Sequence, residues 1–350
     1  MKPGFRIFHI LLPLGWLYGL TTGIRNRMFD NGILKSRSFG IPVIDIGNIT
    51  VGGTGKTPHT QYIAALLKDL YRTAILSRGY GRDTKGFIMA DAQSDSRTIG
   101  DEPLQMHRLF PDLDLAVSQD RVPGIERLIK ERKSQVILLD DAYQHRRVKP
   151  SLNILLVNYG RNILSDAMLP AGRLRESAKG RRRADIIIVT KCPADLTGPS
   201  MDELASALAV NPSQHVFFTT LKYDVLTPFD GISTPPAGDC PVLAVAGIAD
   251  PAPMEAELRK NHSQVSMLTY PDHHRFTLRE LSDMENRLQG MPQGAVIITT
   301  AKDAARLWGM DMSESLRKRI FILPVMPAFL RDSDLFDNTI INHIESFIQQ

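Results

Sequence analysis

At 350 residues and 39.0 kDa the chain is long enough for two domains of ordinary size. Its 43% hydrophobic and 23% charged residues, with 25 Gly and 22 Pro, exclude collagen-like, coiled-coil and wholly disordered chains, and a mean hydropathy of -0.13 excludes a polytopic membrane protein. Two cysteines, Cys192 and Cys240, build neither a disulfide framework nor a four-cysteine zinc site and so point to a reduced, cytosolic setting; a net charge of +4 points to an anionic partner, whether nucleic acid, nucleotide or acidic membrane.

Residues 7–20, IFHILLPLGWLYGL, form an apolar run between Lys2 and Arg6 on one side and Arg25 and Arg27 on the other. As a helix it spans roughly 21 Å at about 1.5 Å per residue, short of the ~30 Å hydrocarbon core, and Pro13 and Gly15 weaken a straight rod. The expectation is an interfacial or partly inserted anchor, with a buried first helix as the competing reading. A secretory signal fits less well, because TTGIRNR offers no small-residue cleavage site. Residues 1–40 carry a net charge of +5, so the rest of the chain sums to -1 and the basic character is local to this segment.

From Ile41 onward apolar runs alternate with helical patterns: IPVIDIGNI, a helix from about Lys56 to Leu70, TAILS, LDLAVS, a helix through VPGIERLIKERK, QVILLD, NILLVNY, DIIIVTK and HVFFTT. This is the pattern of βαβ units in a mostly parallel sheet covered on both faces. The Gly- and Pro-rich stretch 226–240 reads as a linker, followed by a smaller α/β unit over 241–336 containing VLAVAGI, SMLTY, AVIITT and IFILPV. The closing segment 337–350 has Ile340, Ile341, Ile344 and Phe347 at helical spacing and is expected to pack back on the first unit, 31–225, leaving 1–30 as a membrane-associating helix.

IPVIDIGNITVGGTGKTPHT is a strand, a Gly-rich turn and a helix start. Residues Thr50, Val51, Gly52, Gly53, Thr54, Gly55, Lys56 and Thr57 form a phosphate-binding loop in which backbone N–H groups converge on phosphate, Lys56 reaches the β and γ phosphates, and Thr57 can ligate Mg²⁺. The usual pattern has Gly where this chain has Thr50. QVILLDDAYQH ends a strand in Asp140 and Asp141, at the edge where parallel sheets bind ligands. Pro193 in Thr190-Lys191-Cys192-Pro193 stands where a guanine-reading loop has Asp, which favours ATP over GTP. Loops add Arg78 and Tyr80, the pair Asp101 and Glu102, Arg121, and six basic residues against Glu176 between Arg173 and Arg183.

GNITVGGTGKTP, SRGYGR, GDEP, LLDDAYQH, GRLRE and PDHHRF, in this order and at these spacings, resemble the tetraacyldisaccharide 4'-kinase (lipid A 4'-kinase) family over nearly the whole chain. The resemblance implies a P-loop NTPase-like α/β fold with a second, smaller α/β domain and an apolar N-terminal helix, at the cytoplasmic face of the inner membrane. It implies transfer of the γ-phosphate of ATP to the 4'-hydroxyl of a tetraacylated glucosamine disaccharide 1-phosphate, with no nucleic acid or obligate protein partner. It makes Asp101 and His273 a catalytic pair, with Lys56 and Arg175 catalytic cations and Thr57, Glu102, Asp140 and Gln144 around Mg²⁺. Arg78, Tyr80, Arg121, Asp141, Glu176 and Asp272 then line the site. The alternatives are a P-loop kinase of another membrane glycolipid and a membrane-recruited ATPase switch, which would need no acceptor-activating pair.

Overall fold

The computed structural model describes residues 8–272 and 274–349. Helix α1 (Leu12–Asp30) carries Pro13 in its first turn, where a missing N–H leaves no helical bond unmade. It runs ten residues past the apolar stretch because its polar C-terminal half finds partners on the body. Arg25 Nη1 donates to the Gln144 carbonyl at 3.3 Å, Asn26 Nδ2 to Glu176 at 3.0 Å, and Asp30 accepts from Arg146 at 2.6 Å. Of α1, Gly15 and Phe29 are buried, while Leu14, Trp16, Leu17, Leu20 and Ile24 are all more than half exposed. Among the described residues no helix is long and apolar enough to cross a membrane.

The chain then forms β1 (Val43–Gly47), α2 (Lys56–Leu67), β2 (Thr73–Ser77), β3 (Ile88–Met89), α3 (Asp101–Leu109), β4 (Asp114–Val117), α4 (Arg121–Arg127), β5 (Val136–Asp140), β6 (Leu152–Asn158), β7 (Ile186–Thr190), α5 (Gly198–Ala207) and β8 (His215–Tyr223). Strands β1, β2, β5 and β7 are buried at every position, as near-continuous Val, Ile and Leu runs require when helices cover both faces. The helix expected through residues 122–133 is α4 followed by a wider turn over 128–132. Helix α3, which carries Asp101 and Glu102 in its first turn, has no counterpart in the sequence expectation; acidic side chains there complement the helix dipole.

A second unit holds β9 (Thr227–Pro228), β10 (Val242–Ala246), α6 (Ala252–Asn261), β11 (Val265–Thr269), α7 (Leu278–Gln289), β12 (Val296–Thr300), α8 (Ala301–Leu307), α9 (Glu314–Arg317) and β13 (Ile320–Leu323). Its five strands lie in the order β11-β10-β12-β13-β9, parallel except for β9. The chain returns through β14 (Val325–Phe329) and α10 (Ser333–Ile348). The large sheet therefore has nine strands in the order β14-β8-β7-β6-β1-β5-β2-β4-β3, with β3 and β14 antiparallel at the two edges.

This corrects two sequence boundaries. Residues 227–228, expected in a linker, extend the smaller sheet by pairing with Phe321 and Ile322. Residues 325–329, expected in the smaller unit, pair with β8 of the large sheet. The reason is an edge: β8 would otherwise present an open row of backbone groups, and β14 satisfies it. Helix α10 then buries Phe336, Ile340 and Ile344 in the core that also holds Ile63, Leu67 and Ile154.

Candidate active site

The site lies outside the carboxyl ends of β1, β2 and β5, where parallel sheets bind ligands. The loop after β1 is fastened from several directions. Val51 N donates to the Arg173 carbonyl at 2.8 Å, Arg175 N to the Ile49 carbonyl at 2.8 Å, and Asn48 Nδ2 to the buried Thr54 hydroxyl at 2.8 Å. Thr50 bridges to Leu174, and the Thr54 carbonyl accepts from Thr190 at 2.8 Å. Gly52 has φ 93°, and a Cβ there would lie 2.6 Å from the Arg161 guanidinium; Gly55, φ 86°, turns the chain into α2. Asn158 Nδ2 reaches the Gly53 carbonyl at 3.4 Å. Beneath the loop, His59 bridges the Gly55 carbonyl at 2.7 Å and the Thr219 hydroxyl at 3.0 Å, and burial pulls its pKa down to about 4, so a neutral ring props the helix start.

Lys56 begins α2, with its Nζ 3.6 Å from Asp141 Oδ2, and Thr57 beside it is 8% exposed. Asp141 has φ 56°, a turn conformation that Asp tolerates better than most residues, and this turns its carboxylate toward Lys56 and Arg175. Arg175 Nη1 donates to Asp141 Oδ1 at 3.0 Å and to Gln144 Oε1 at 3.2 Å. Burial works against ionisation of Asp141, but Lys56 and Arg175 outweigh it and hold its carboxyl below the usual range. Asp140 accepts from Thr60 at 3.3 Å and Ser77 at 3.1 Å. Burial first, then the charges of Glu102 and Asp141, push its pKa up to about 7.

These groups surround a cavity of about 450 Å³ lined in part by Arg78, Tyr80, Glu102, Asp140, Asp141 and Arg175. Arg121 lines the cavity as expected and also braces its floor, whereas Glu176, expected to line it, supports it from below. Arg121, 2% exposed, donates to the carbonyls of Ser118, Asp140 and Asp141 at 2.7, 3.3 and 3.4 Å, and so pins the acidic turn; burial lowers its pKa to about 10. Glu176, also 2% exposed, binds Arg183 at 2.8 and 3.0 Å and accepts from Gln144 and Asn26 at 3.0 Å each. Gln144, expected beside the metal, spends its amide on Glu176 and the Asn48 carbonyl and its oxygen on Arg175. It orders the loop around the carboxylates.

Asp101 and Glu102 start α3, Glu102 on the cavity and Asp101 paired with Arg306 of α8 at 2.7 Å. Asp272 lies 3.1 Å from Lys302 of the same helix. His273 lies outside the described residues. Its neighbour His274 stacks on Tyr270 with ring centroids 4.6 Å apart and bonds Glu280 at 2.9 Å, and so secures the turn. Sequence reasoning missed Arg25, which reaches the cavity from α1, and Arg306; no motif marked either one.

Among the described residues no three His, Cys, Asp or Glu side chains form a metal-holding group. Magnesium needs no such cage, because it keeps waters and binds one or two carboxylates together with substrate phosphates. Glu102, Asp140 and Asp141 meet at the cavity, and burial first and then the other two carboxyls push Asp140 toward protonation, a charge balance that suits a bound cation.

A phosphate loop, an acidic strand end and converging cations at the carboxyl edge of a parallel sheet define a P-loop phosphotransferase. The chain belongs to the Tetraacyldisaccharide-1-P 4'-kinase family, whose model matches residues 7–345. A protein of Phocaeicola vulgatus named tetraacyldisaccharide 4'-kinase is 45% identical over 345 residues, covering 95% of this chain and 94% of its own. A Bacteroides thetaiotaomicron protein of the same name is 43% identical, covering 97% and 94%. The crystal structure of Aquifex aeolicus LpxK in complex with ATP is 29% identical with a TM-score of 0.74, covering 95% of this chain and 98% of that one.

Proposed function

We propose that this kinase transfers the γ-phosphate of ATP to the 4'-hydroxyl of a tetraacylated glucosamine disaccharide 1-phosphate, a step of lipid A biosynthesis, at a membrane surface. The observation that carries the reading is the meeting of two sets of groups. Asp140, Asp141 and Arg175 line one part of the cavity with Lys56 against Asp141, and α3 brings Glu102 to it from another direction with Asp101 beside it in the chain.

In this reading the 4'-hydroxyl oxygen attacks the γ-phosphorus while its proton passes to the pair of Asp101 and His273. The bond to the β,γ-bridging oxygen breaks and ADP leaves. A sugar hydroxyl is a poor nucleophile, so a group that takes its proton during transfer lowers the barrier. Lys56 and Arg175 face charge that redistributes over the phosphoryl oxygens, and Asp141 aims both of them. Thr57, Asp140 and Glu102 are the residues that would hold Mg²⁺, which supplies charge neutralisation on the β and γ phosphates when bound.

The exposed apolar face of α1, from Leu14 through Ile24, supports an interfacial anchor for the lipid acceptor. Each large apolar side chain moved out of water contributes about 1.5–3 kcal/mol. ATP then sets the reaction on the cytoplasmic face of the inner membrane.

Incubating the protein with γ-labelled ATP, Mg²⁺ and the disaccharide 1-phosphate in mixed micelles should yield a labelled lipid that depends on the acceptor. Release of labelled phosphate with no labelled lipid would overturn the reading in favour of an ATPase switch.

A further inference from the structure

The short helix α8 of the second unit reaches the start of α3. On α8, Arg306 Nε donates to Asp101 Oδ2 at 2.7 Å, and its Nη1 donates to Asp303 Oδ1 at 2.7 Å and to the Gly247 carbonyl at 3.0 Å. Asp303 is fastened in turn: its Oδ2 accepts from Gly247 N at 2.9 Å and from the Thr300 hydroxyl at 2.7 Å. The side chains of Arg306 and Asp303 are 3% and 0% exposed, and that of Asp101 is 23% exposed. Gly247 follows β10 and Thr300 ends β12, so the guanidinium is held against the strand ends of the smaller sheet. One turn earlier, Lys302 on the same helix holds Asp272, the residue before His273, at 3.1 Å.

A guanidinium offers donors in a rigid, planar fork. Here one edge of the fork is spent on Asp303 and Gly247 and the other reaches Asp101. Rotation that would relax the contact with Asp101 would break bonds in a dry environment, where an unpaired buried carboxylate is costly. The position of the Asp101 oxygen is therefore set by the second unit and not by α3 alone.

We propose that Arg306 is a positioning residue for phosphoryl transfer, fixing the Asp101 carboxylate beside cavity-lining Glu102 from the second unit, with Asp303 as its anchor. This rests on the reading of Asp101 as the acceptor-side carboxylate. Charged groups close by in the described residues include Glu102 on the same helix and Asp303 behind Arg306. Arg306 bridges Asp101 to the second unit through hydrogen bonds on both sides.

The test compares Arg306→Lys, Asp101→Asn and the double variant in steady-state transfer to the disaccharide 1-phosphate, with thermal unfolding of each. Lysine keeps a charge for buried Asp303 but lacks the fork, so Arg306→Lys should fold and leave Asp101 unaimed. The expected result is a kcat lowered about 10- to 100-fold, the scale of a misplacement near 1 Å, with KM for ATP within threefold of the parent. Added to Asp101→Asn, it should lower kcat no further, because the two act through one carboxylate. A kcat within threefold of the parent for Arg306→Lys overturns the proposal, as does full additivity in the double variant. Near-parent activity of Asp101→Asn overturns the underlying reading of Asp101 instead. If Arg306→Lys loses its unfolding transition, Asp303→Asn carries the same comparison, with the same drop in kcat at unchanged KM expected and parent-like kcat overturning the proposal.

Discussion

Lys56 Nζ of the phosphate loop lies 3.6 Å from Asp141 Oδ2, and the same carboxylate takes Arg175 at 3.0 Å. One acid thus holds both cations, which in the proposed reaction face the transferring phosphoryl group. Lys56→Ala should weaken ATP binding and lower kcat by about 10²–10³, the usual scale for removing one electrostatic stabiliser. Asp141→Asn keeps the φ of 56°, which Asn adopts readily, and removes only charge. Its kcat should fall at least about tenfold from the loss of aim, while ATP binds no more weakly because a carboxylate near the phosphates is gone. Isothermal titration and single-turnover transfer separate the two effects; weaker ATP binding in Asp141→Asn would count against this account.

Glu176 ties three segments together beneath the site: Arg183, Gln144 and, from α1, Asn26. Its side chain is 3% exposed, so Glu176→Gln leaves Arg183 without its carboxylate in a nearly dry position. Breaking a buried pair from one side costs about 3–5 kcal/mol. The expected outcome is a lower denaturation midpoint together with reduced transfer, since Gln144 also steadies Arg175. Chemical denaturation at unchanged stability would show that the cluster is dispensable.

Asp45 is 1% exposed in mid-strand, with Oδ1 accepting from Ala142 N at 3.1 Å and Oδ2 without a partner among the described residues. Burial, partly offset by that hydrogen bond, pushes its pKa up to about 8. The unfolded chain ionises this group near the ordinary value of about 4 and the folded chain near 8. The folded state therefore holds the extra proton between these values, and stability falls as pH rises across them, at up to about 1.4 kcal/mol per pH unit. Buried His59 acts in the opposite sense below its unfolded value of 6.5, losing stability as pH falls toward about 4. Asp45→Asn should be more stable than the parent at pH 8 and lose that advantage toward pH 5, by calorimetry across the range. Parallel curves for the two proteins would contradict the assignment.

Trp16, Leu17 and Leu20 are 71%, 59% and 60% exposed on α1. Replacing Leu17 and Leu20 by Glu should shift the protein off anionic vesicles in a flotation assay and raise the apparent KM for lipid, with turnover of micellar substrate retained. Deleting 1–24 should do more. It removes Tyr18, whose hydroxyl donates to the Arg175 carbonyl at 3.0 Å, so kcat should fall as well. Unchanged vesicle binding by the Glu variant would show that this face is not the anchor.

Much of the site was legible because its chemistry is local in sequence. The phosphate loop sits between a buried strand and a helix start, and Asp140 and Asp141 end an apolar run. What was not legible were residues recruited over long separations. Arg25 comes to the cavity because the polar half of α1 docks on the loops after β5 and β6, and Arg306 meets Asp101 across 205 positions. Glu176 illustrates the converse. Its residue type and motif pointed to the cavity wall, yet it is 2% exposed and spends its carboxylate on Arg183, Gln144 and Asn26.

The sequence by itself determined the alternation of buried strands with helices, the phosphate loop and the local basic charge around an apolar segment, because each follows from short-range periodicity, glycine placement and charge order. Tertiary structure alone decided that β14 returns to cover the open edge of β8, that an arginine of the second unit grips Asp101, and that α1 is pinned to the catalytic loops. These depend on which edges and polar groups remain unsatisfied once the sheets have formed, and that requirement has no period along the chain.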